Sequence, residues 1–500
     1  MKSKFFPAIR PAILFLVVAT LWLLAPWFVR ATDEPAVTVV VGADPDPLER
    51  RAAEELAGLM KTLFTAEVTL AERPPGDGAT PPIVLLGNAA REFLPAGLGP
   101  QDHVVRSTSS GLVVAGGSPV ATLWAVYEYG YANGMRYLTS GDFPPKEAPV
   151  FTLDGYDIVR KPRQTVRAWS IVADGPASQG SWPASDLSKL LGQLAKLKFN
   201  AVLLPGDDAD LAFEPIGVTG DIAGRSVFSG AEEFAPLPRE AVPAWRTEIA
   251  EAARALGMTT EMDAAPRTTL TLGQERGQVL PVKAPTTLPE GDFCVAVGLV
   301  GDVNPALHYL SRAAWDASVT PEAALDQLAT PICGEGVAEA LAQGFAALAE
   351  VSALMEEENP EFAVPAPEMF GKHYRSSEPA PEWWSEGKDF YGKAVNEMYR
   401  ANTRARDGAR PWILHHAKRH TFALHYFTAV ESARNAALAR EAKDNEAWAE
   451  NLVLAIEALH NALGIYAEVA DDHSDRGVIA LLNEYAYRPM LEELDRVPFE

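Results

Sequence analysis

Five hundred residues with 48% hydrophobic and 22% charged side chains can fill several hydrophobic cores, and at roughly 100–200 residues per domain three are expected. A net charge of −24 opposes binding to phosphate backbones and anionic lipid, so nucleic acid is not an expected partner, although a local basic pocket for an acidic sugar remains compatible with it. Cys294 and Cys333 make neither a disulfide scaffold nor a zinc site and read as packing residues.

Lys2, Lys4 and Arg10 precede an apolar run at 12–25, and Val29-x-Ala31 offers small residues at the spacing of a cleavage site. Residues 1–31 therefore read as an export signal, with a mature N-terminus near Thr32. An uncleaved anchor is the alternative, because 12–29 approaches the roughly 18 residues at which spanning becomes feasible. In both cases the rest of the chain is expected outside the cytoplasm, secreted or in the periplasm or cell envelope, with membrane contact only through this segment.

A Val-rich strand at 36–42 comes next, then a helix at 47–65 in which Leu48, Ala52, Leu56, Leu59 and Leu63 recur at helical spacing. Strands follow at 67–71, 83–86 and 104–107, and 112–115 completes a hairpin around Thr108-Ser109-Ser110-Gly111. Gly116-Gly117-Ser118 reads as a turn into a helix at 119–133. This region concentrates no titratable groups and reads as scaffolding.

Pro144-Pro145 and Lys161-Pro162-Arg163 mark a junction. Beyond it, strands at 165–172, 200–204 and 258–263 alternate with helices at 185–197 and 239–256, the pattern of parallel βα units; a last strand is expected at 294–299. From about 320 the pattern becomes helical, with helices at 321–328, 336–355, 384–404, 412–440, 445–470 and 476–494 in an irregular bundle. His416 and His420 share a helical face, but the intervening residues lack the Glu of a zinc-protease motif and include Lys418, so no metal is expected. Trp169, Trp182, Trp383 and Trp384 read as core or interdomain packing, with stacking on sugar rings as the alternative. No nucleotide or phosphate-binding loop is present, and no cofactor is expected.

The segment from Val113 to Leu138, VVAGGSPVATLWAVYEYGYANGMRYL, resembles the end of the N-terminal accessory domain of glycoside hydrolases of families 20, 67 and 115. In those families a Gly-Gly turn, an aromatic-rich helix and a Gly-x-Arg-[Tyr/Trp] ending precede a catalytic barrel. The resemblance covers about 36–157. It implies an α/β accessory domain at 36–157, a barrel-like (β/α) domain at 160–316 and a helical domain at 317–500. The implied activity is cleavage of a glycosidic bond at a chain end, with a hexosaminide or glucuronide as substrate and carbohydrate as partner.

Three places carry the candidate site. Arg163-Gln-Thr-Val-Arg167 resembles the Pro-Arg-Phe-x-x-Arg-Gly entry of family 20 barrels, whose last Arg holds the terminal sugar; Arg167 is therefore a candidate sugar ligand, with an internal ion pair as the alternative. Lys198-Phe-Asn200 followed by AVLLPGDDADLAFE resembles Lys-x-Asn-x-x-x-x-His-x-x-Asp-Asp, which makes Asp207 and Asp208 candidate substrate ligands, although Pro205 stands at the histidine position and a solvated turn is the alternative. Gly257-Met-Thr-Thr-Glu261-Met-Asp263 resembles the Glu-Ile-Asp strand end of the same barrels. Two carboxylates spaced by two on a strand share a face, and glycoside hydrolysis needs a carboxyl pair, so Glu261 and Asp263 are the catalytic candidates, with a charge partnership to an Arg as the alternative.

Family 20 enzymes carry an Asp-Glu dipeptide after the fourth strand, and here the only Asp-Glu is Asp33-Glu34. The barrel-like region is also roughly 150 residues long, against about 250 for a complete eightfold barrel. The expectation is a shortened barrel lacking much of strands four to seven, in a glycan-cleaving enzyme or a non-catalytic glycan-binding or structural protein derived from one.

Overall fold

The computed structural model of the chain describes residues 34–75, 82–173, 175–206, 216–217, 233–235, 237–261, 266, 268–272, 280–281, 287–358, 369–376, 378–405 and 408–498. A six-stranded sheet comes first. Strand β1 (Ala36–Val40) lies between β2 (Glu67–Ala71) and β3 (Ile83–Leu86), parallel to both. Helix α1 (Pro47–Phe64) connects β1 to β2: the Asp46 carboxylate accepts from Leu48 N, Pro47 presets the first turn, and Thr65 closes the helix in the left-handed region at φ 54°. Strands β4 (His103–Thr108) and β5 (Gly111–Gly116) form the expected hairpin, and β5 continues the sheet parallel to β3. Gly111 is required there, with φ 125° and a Cβ position only 2.2 Å from Ile83 O.

Helix α2 (Pro119–Ala132) starts where Ser118 Oγ accepts from Ala121 N, and every residue from Ala121 to Gly130 is buried. It lies against β4, β5 and α1 on one side and the second sheet's first helix on the other, so an amphipathic pattern would expose polar groups to apolar neighbours. After a short hairpin, β6 (Arg136–Leu138) with β7 (Gly141–Phe143), strand β8 (Asp157–Arg160) returns to pair antiparallel with β4. The first sheet thus runs to Arg160, beyond the expected boundary at 157, in the order β2-β1-β3-β5-β4-β8.

The second sheet is all parallel. It contains β9 (Arg167–Ser170) and, after helix α3 (Ala184–Lys196), β10 (Ala201–Leu203). A two-stranded pair, β11 (Ile216–Gly217) with β12 (Glu233–Phe234), precedes helix α4 (Val242–Arg254). Strands β13 (Thr268–Leu272) and β14 (Phe293–Val297) and helix α5 (Asn304–Ala313) complete this part, and the strand order is β10-β9-β14-β13. Among the described residues of the strand expected at 258–263, Thr259 makes one parallel bridge, to Ala201, and β13 forms in a stretch where no strand was expected. Among the described residues β13 has β14 as its only strand partner. Trp169, Val202 and Val295 point from one face into a core shared with α2 and the first sheet, and Ala168, Ala201 and Cys294 form a small-residue layer on the other.

Helices make up the rest: α6 (Pro321–Cys333), α7 (Val337–Glu358), α8 (Met369–Tyr374), α9 (Trp383–Arg404), α10 (Arg410–Glu441), α11 (Asn445–Ala467), α12 (His473–Leu482) and, after a π turn, α13 (Arg488–Leu494). Helix α7 is long and apolar enough to cross a membrane by composition, yet it packs on α6 and α9 with Gly344 seated under Met398. Cys294 and Cys333 are both buried and free, as packing residues should be. Trp169, Trp182 and Trp384 are buried too.

The helical part is locked to the second sheet at α12. Gly477 lets its backbone close on the loop after β9, since a Cβ there would stand 2.1 Å from Pro176 O. Gly477→Ala is therefore expected to cost about 1–3 kcal/mol by overpacking, read as a lowered urea midpoint. An unchanged midpoint would mean the loop yields freely.

Candidate functional site

The two ends of the parallel strands are used differently. At the N-terminal end a charge cluster ties the first sheet to the second. Glu128, on α2 and 1% exposed, accepts two bonds from Arg312 on α5 at 2.9 and 3.0 Å and one from Arg160 Nε at 3.0 Å, and Lys198 Nζ closes on its second oxygen. Burial pushes this carboxyl up, but Arg312 and Lys198 overcome it and hold Glu128 well below the usual carboxylate range. Burial draws Lys198 down to about 7 against the attraction of Glu128. A cavity of about 20 Å³ beside the cluster has room for roughly one water.

Arg167 belongs to this clamp, and its candidate role on a sugar is corrected by where it sits. It opens β9, at the end of the strand opposite to that at which barrel enzymes place their working residues, and shares the helix-facing side with Trp169 by strand alternation. Only 1% of it is exposed. Its guanidinium donates to Lys198 O at 2.8 Å, Gln164 O at 2.7 Å and Gln101 Oε1 at 3.0 Å, and lies over the rings of Trp124 and Trp315. Its hydrogen-bond acceptors are carbonyls and an amide, and Asp292 attracts it as a nearby acid. Burial lowers its pKa to about 9.

At the C-terminal ends the strands meet the helical part. Gln179, in the loop after β9, accepts from Trp169 Nε1 at 3.3 Å and donates to Val297 O at 2.7 Å, and Trp182 Nε1 donates to Ser474 Oγ at 2.7 Å. Asp302, five residues past β14, is an acid that the sequence did not single out. Arg419 Nη2 reaches it at 2.7 Å and His415 Nε2 at 3.0 Å. Burial alone would raise its pKa; Arg419 and His415 instead hold it far below the carboxylate range, and Asp302 raises His415 despite burial of the ring. Asp302 is thus a fixed anion held by the helical part.

Glu261 stands exposed two residues past the Thr259 bridge, in a turn where Thr259 Oγ1 donates to Glu261 O and accepts from Glu261 N. Asp207, Asp208 and Asp263 lie outside the described residues. Of the five candidates, then, Glu261 and Arg167 are described, and they lie at opposite ends of the parallel strands. His416 and His420 are buried on α10 with ring centroids 6.4 Å apart.

A large cleft, about 920 Å³, opens between all three parts of the chain. Its walls are the β6–β7 hairpin, the first turns of α3, α5 and α10, and the connection from α11 to α12. It lies beyond the loop after β9, and no sequence motif announced it.

No family model matches the sequence, and no curated protein matches it. Solved structures do. A family GH115 4-O-methyl-α-glucuronidase with specificity for decorated arabinogalactans matches at TM-score 0.50 and 12% identity, over 89% of this chain and 79% of that one. A family GH138 enzyme targeting pectin rhamnogalacturonan II matches at TM-score 0.43 and 10% identity, over 92% of this chain and 100% of that one. The chain has a glycoside-hydrolase-like fold, mixed α/β with a helical remainder.

Proposed function

We propose that the chain is an exported protein that acts on or binds glycans at hexosaminide or glucuronide ends, using the C-terminal ends of its parallel strands. The observation that carries this is the fold: an α/β sheet docked on parallel strands and followed by helices, like the GH115 glucuronidase along 89% of the chain. In the same proposal residues 1–31 are a signal or anchor, 36–157 the accessory domain, 160–316 a shortened barrel and 317–500 a helical domain. Glu261, exposed two residues past the Thr259 bridge, or Asp263, two positions on in the sequence, donates the proton to the leaving oxygen; Asp207 or Asp208 supplies the second carboxylate. Arg167 takes no part.

A non-catalytic glycan-binding protein on the same scaffold is the second reading. It is favoured by the missing Asp-Glu dipeptide and by Asp302, a strand-end acid already committed to Arg419 and His415. Chromogenic glycosides and uronides, with binding measured in parallel, separate the two. In a hydrolase Glu261→Gln is expected to lower kcat by about 10²–10⁴, since the amide cannot donate the proton. In a binder the wild type is inactive on the whole panel, and Asp263→Asn weakens glycan binding without unfolding. Activity unchanged in both variants would place the chemistry elsewhere.

A further inference from the structure

One side chain on the wall of the 920 Å³ cleft, His415 of α10, is held as an acid–base group is held. Asp302 stands behind it. Arg419 grips the Asp302 carboxylate with Nε on Oδ1 at 3.0 Å and Nη2 on Oδ2 at 2.7 Å, and Oδ1 also accepts from His415 Nε2 at 3.0 Å. An ionised carboxylate only accepts, so Nε2 carries the proton and, in the neutral ring, Nδ1 carries the lone pair. Nδ1 bonds to no described residue, and it is not sealed from solvent as Nε2 of His416 and Nε2 of His420 are. The His415 side chain is 12% exposed, on the cleft wall. Gly301 makes room for the ring, since a Cβ there would stand 2.7 Å from its Cε1.

Arg419 already neutralises Asp302, so the imidazole is not needed there as a counter-charge. A ring fixed from behind by a carboxylate and open in front is arranged to take up a proton and give it back. Burial lowers the pKa of His415, but Asp302, helped by Asp475 of α12, outweighs burial and the opposing charge of Arg419 and raises it. On its own helix, His416 stays neutral and Lys418 is tied to Glu468. A raised pKa makes the ring a better base and a poorer acid. Cleavage of a glycosidic acetal starts with an acid and takes a carboxyl pair, whereas hydrolysis of an acyl ester starts with a base, and one imidazole serves both of its halves. The volume is at the upper end of ligand pockets, about 300–1,000 Å³, enough for a sugar bearing an acyl group.

We propose that His415, oriented by Asp302, is the general base of a second active site in this cleft, one that hydrolyses acyl esters on glycan hydroxyls. The glycan half of the inference rests on the proposed glycan function; the ester half rests on the Asp302–His415 pair. Nδ1 takes a proton from water as the water oxygen bonds to the acyl carbon and the carbonyl electron pair moves onto the carbonyl oxygen. As the carbonyl re-forms, the bond from the acyl carbon to the sugar oxygen breaks, its electron pair stays on that oxygen, and Nδ1 returns the proton to it. Water and ester become a carboxylic acid and a sugar hydroxyl, and the ring is restored. Asp302 touches no substrate and is a positioning residue.

Acetate release from O-acetylated N-acetylglucosamine by the full chain, followed by NMR as the pH is varied, tests this, with nitrophenyl acetate as a sugar-free probe. Release should rise with pH to a plateau, its midpoint above the ordinary histidine value of about 6.5. His415→Gln should lower kcat on both esters by about 100-fold or more. Asp302→Asn should move the midpoint to lower pH, which a merely structural role would not do; an unmoved midpoint overturns its part. No release by folded wild type, or full release in His415→Gln, overturns the site. If His415→Gln does not fold, diethyl pyrocarbonate, which acylates an open neutral imidazole, takes its place on the wild type. Acylation of His415 with loss of release is then expected, and no acylation there, or release that survives it, overturns the proposal. Nitrophenyl acetate cleaved through His415 with the sugar ester untouched overturns the glycan half. Carbohydrate bound without ester cleavage overturns the ester site and leaves the strand-end glycan function intact.

Discussion

Glu128→Ala is expected to destabilise the chain by about 3–5 kcal/mol, because it removes the one carboxylate on which Lys198, Arg312 and Arg160 converge and leaves the buried Arg312 guanidinium without its carboxylate. The loss should appear as a lowered urea midpoint with the slope retained. Glu128→Gln should recover only a small part, since its amide accepts through one oxygen and adds two donors where the neighbours are already donors. A stability within about 1 kcal/mol of wild type in both variants would show that the two sheets are held by apolar burial alone. The clamp holds one continuous core: Trp124 and Val114 of the first part pack in the same cluster as Trp169, Val295 and Leu307 of the second.

Acidification is the second large effect expected. Burial holds His103, His308 and His416 well below their ordinary pKa and brings His373 and His420 to about 4. All five are neutral in the fold, whereas in the unfolded chain each binds a proton near pH 6.5. Unfolding therefore takes up protons as the pH falls from about 6.5 towards 4, and stability is lost across that window. Each histidine that stays neutral in the fold contributes up to about 1.4 kcal/mol per pH unit once its unfolded form is charged, so several together remove a large share of the stability. His415 is the exception. Its pKa is raised, so its contribution is present below 6.5 and fades as the pH rises through the folded value. Glu128 and Asp302, both depressed, lose theirs only at lower pH, below the ordinary carboxylate range. Urea midpoints between pH 7.5 and 5 should fall steeply below 6.5; a flat profile would mean the histidines are hydrated in solution.

The sequence announced most of the elements, because their signals are local. Asp46-Pro47, Ser118-Pro119 and the hairpin at Gly111 each place a cap or turn that the structure uses. The helical region read nearly as well: α8 (Met369–Tyr374) was not expected, α6 runs to Cys333 instead of 328, and the π turn Asn483–Tyr487 breaks the helix expected at 476–494. What failed was weaker or non-local. Thr268–Leu272 alternates Thr and Leu as an edge strand does, yet it sits among Pro- and Gly-containing stretches that suggest a loop. Of the strand expected at 258–263, the described residues 258–261 form one bridge, at Thr259.

The site was harder to read for physical reasons. Arg167 was placed on the right strand, but whether a strand residue lies at the N-terminal or C-terminal end depends on where the strand starts, and β9 starts at Arg167 itself. Glu128 and Lys198 stand 70 positions apart, and Asp302 and Arg419 117. No spacing rule joins residues at those separations. The cleft was invisible for the same reason, since it exists only where three separate parts of the chain meet.

The most direct test of the central claim, that this chain engages carbohydrate, is a glycan microarray probed with the full-length protein. The expected result is binding to glycans that end in hexosamine or glucuronic acid, competed by the matching soluble oligosaccharides. Absence of signal on every carbohydrate, from protein shown to be folded by a cooperative urea transition, would contradict it.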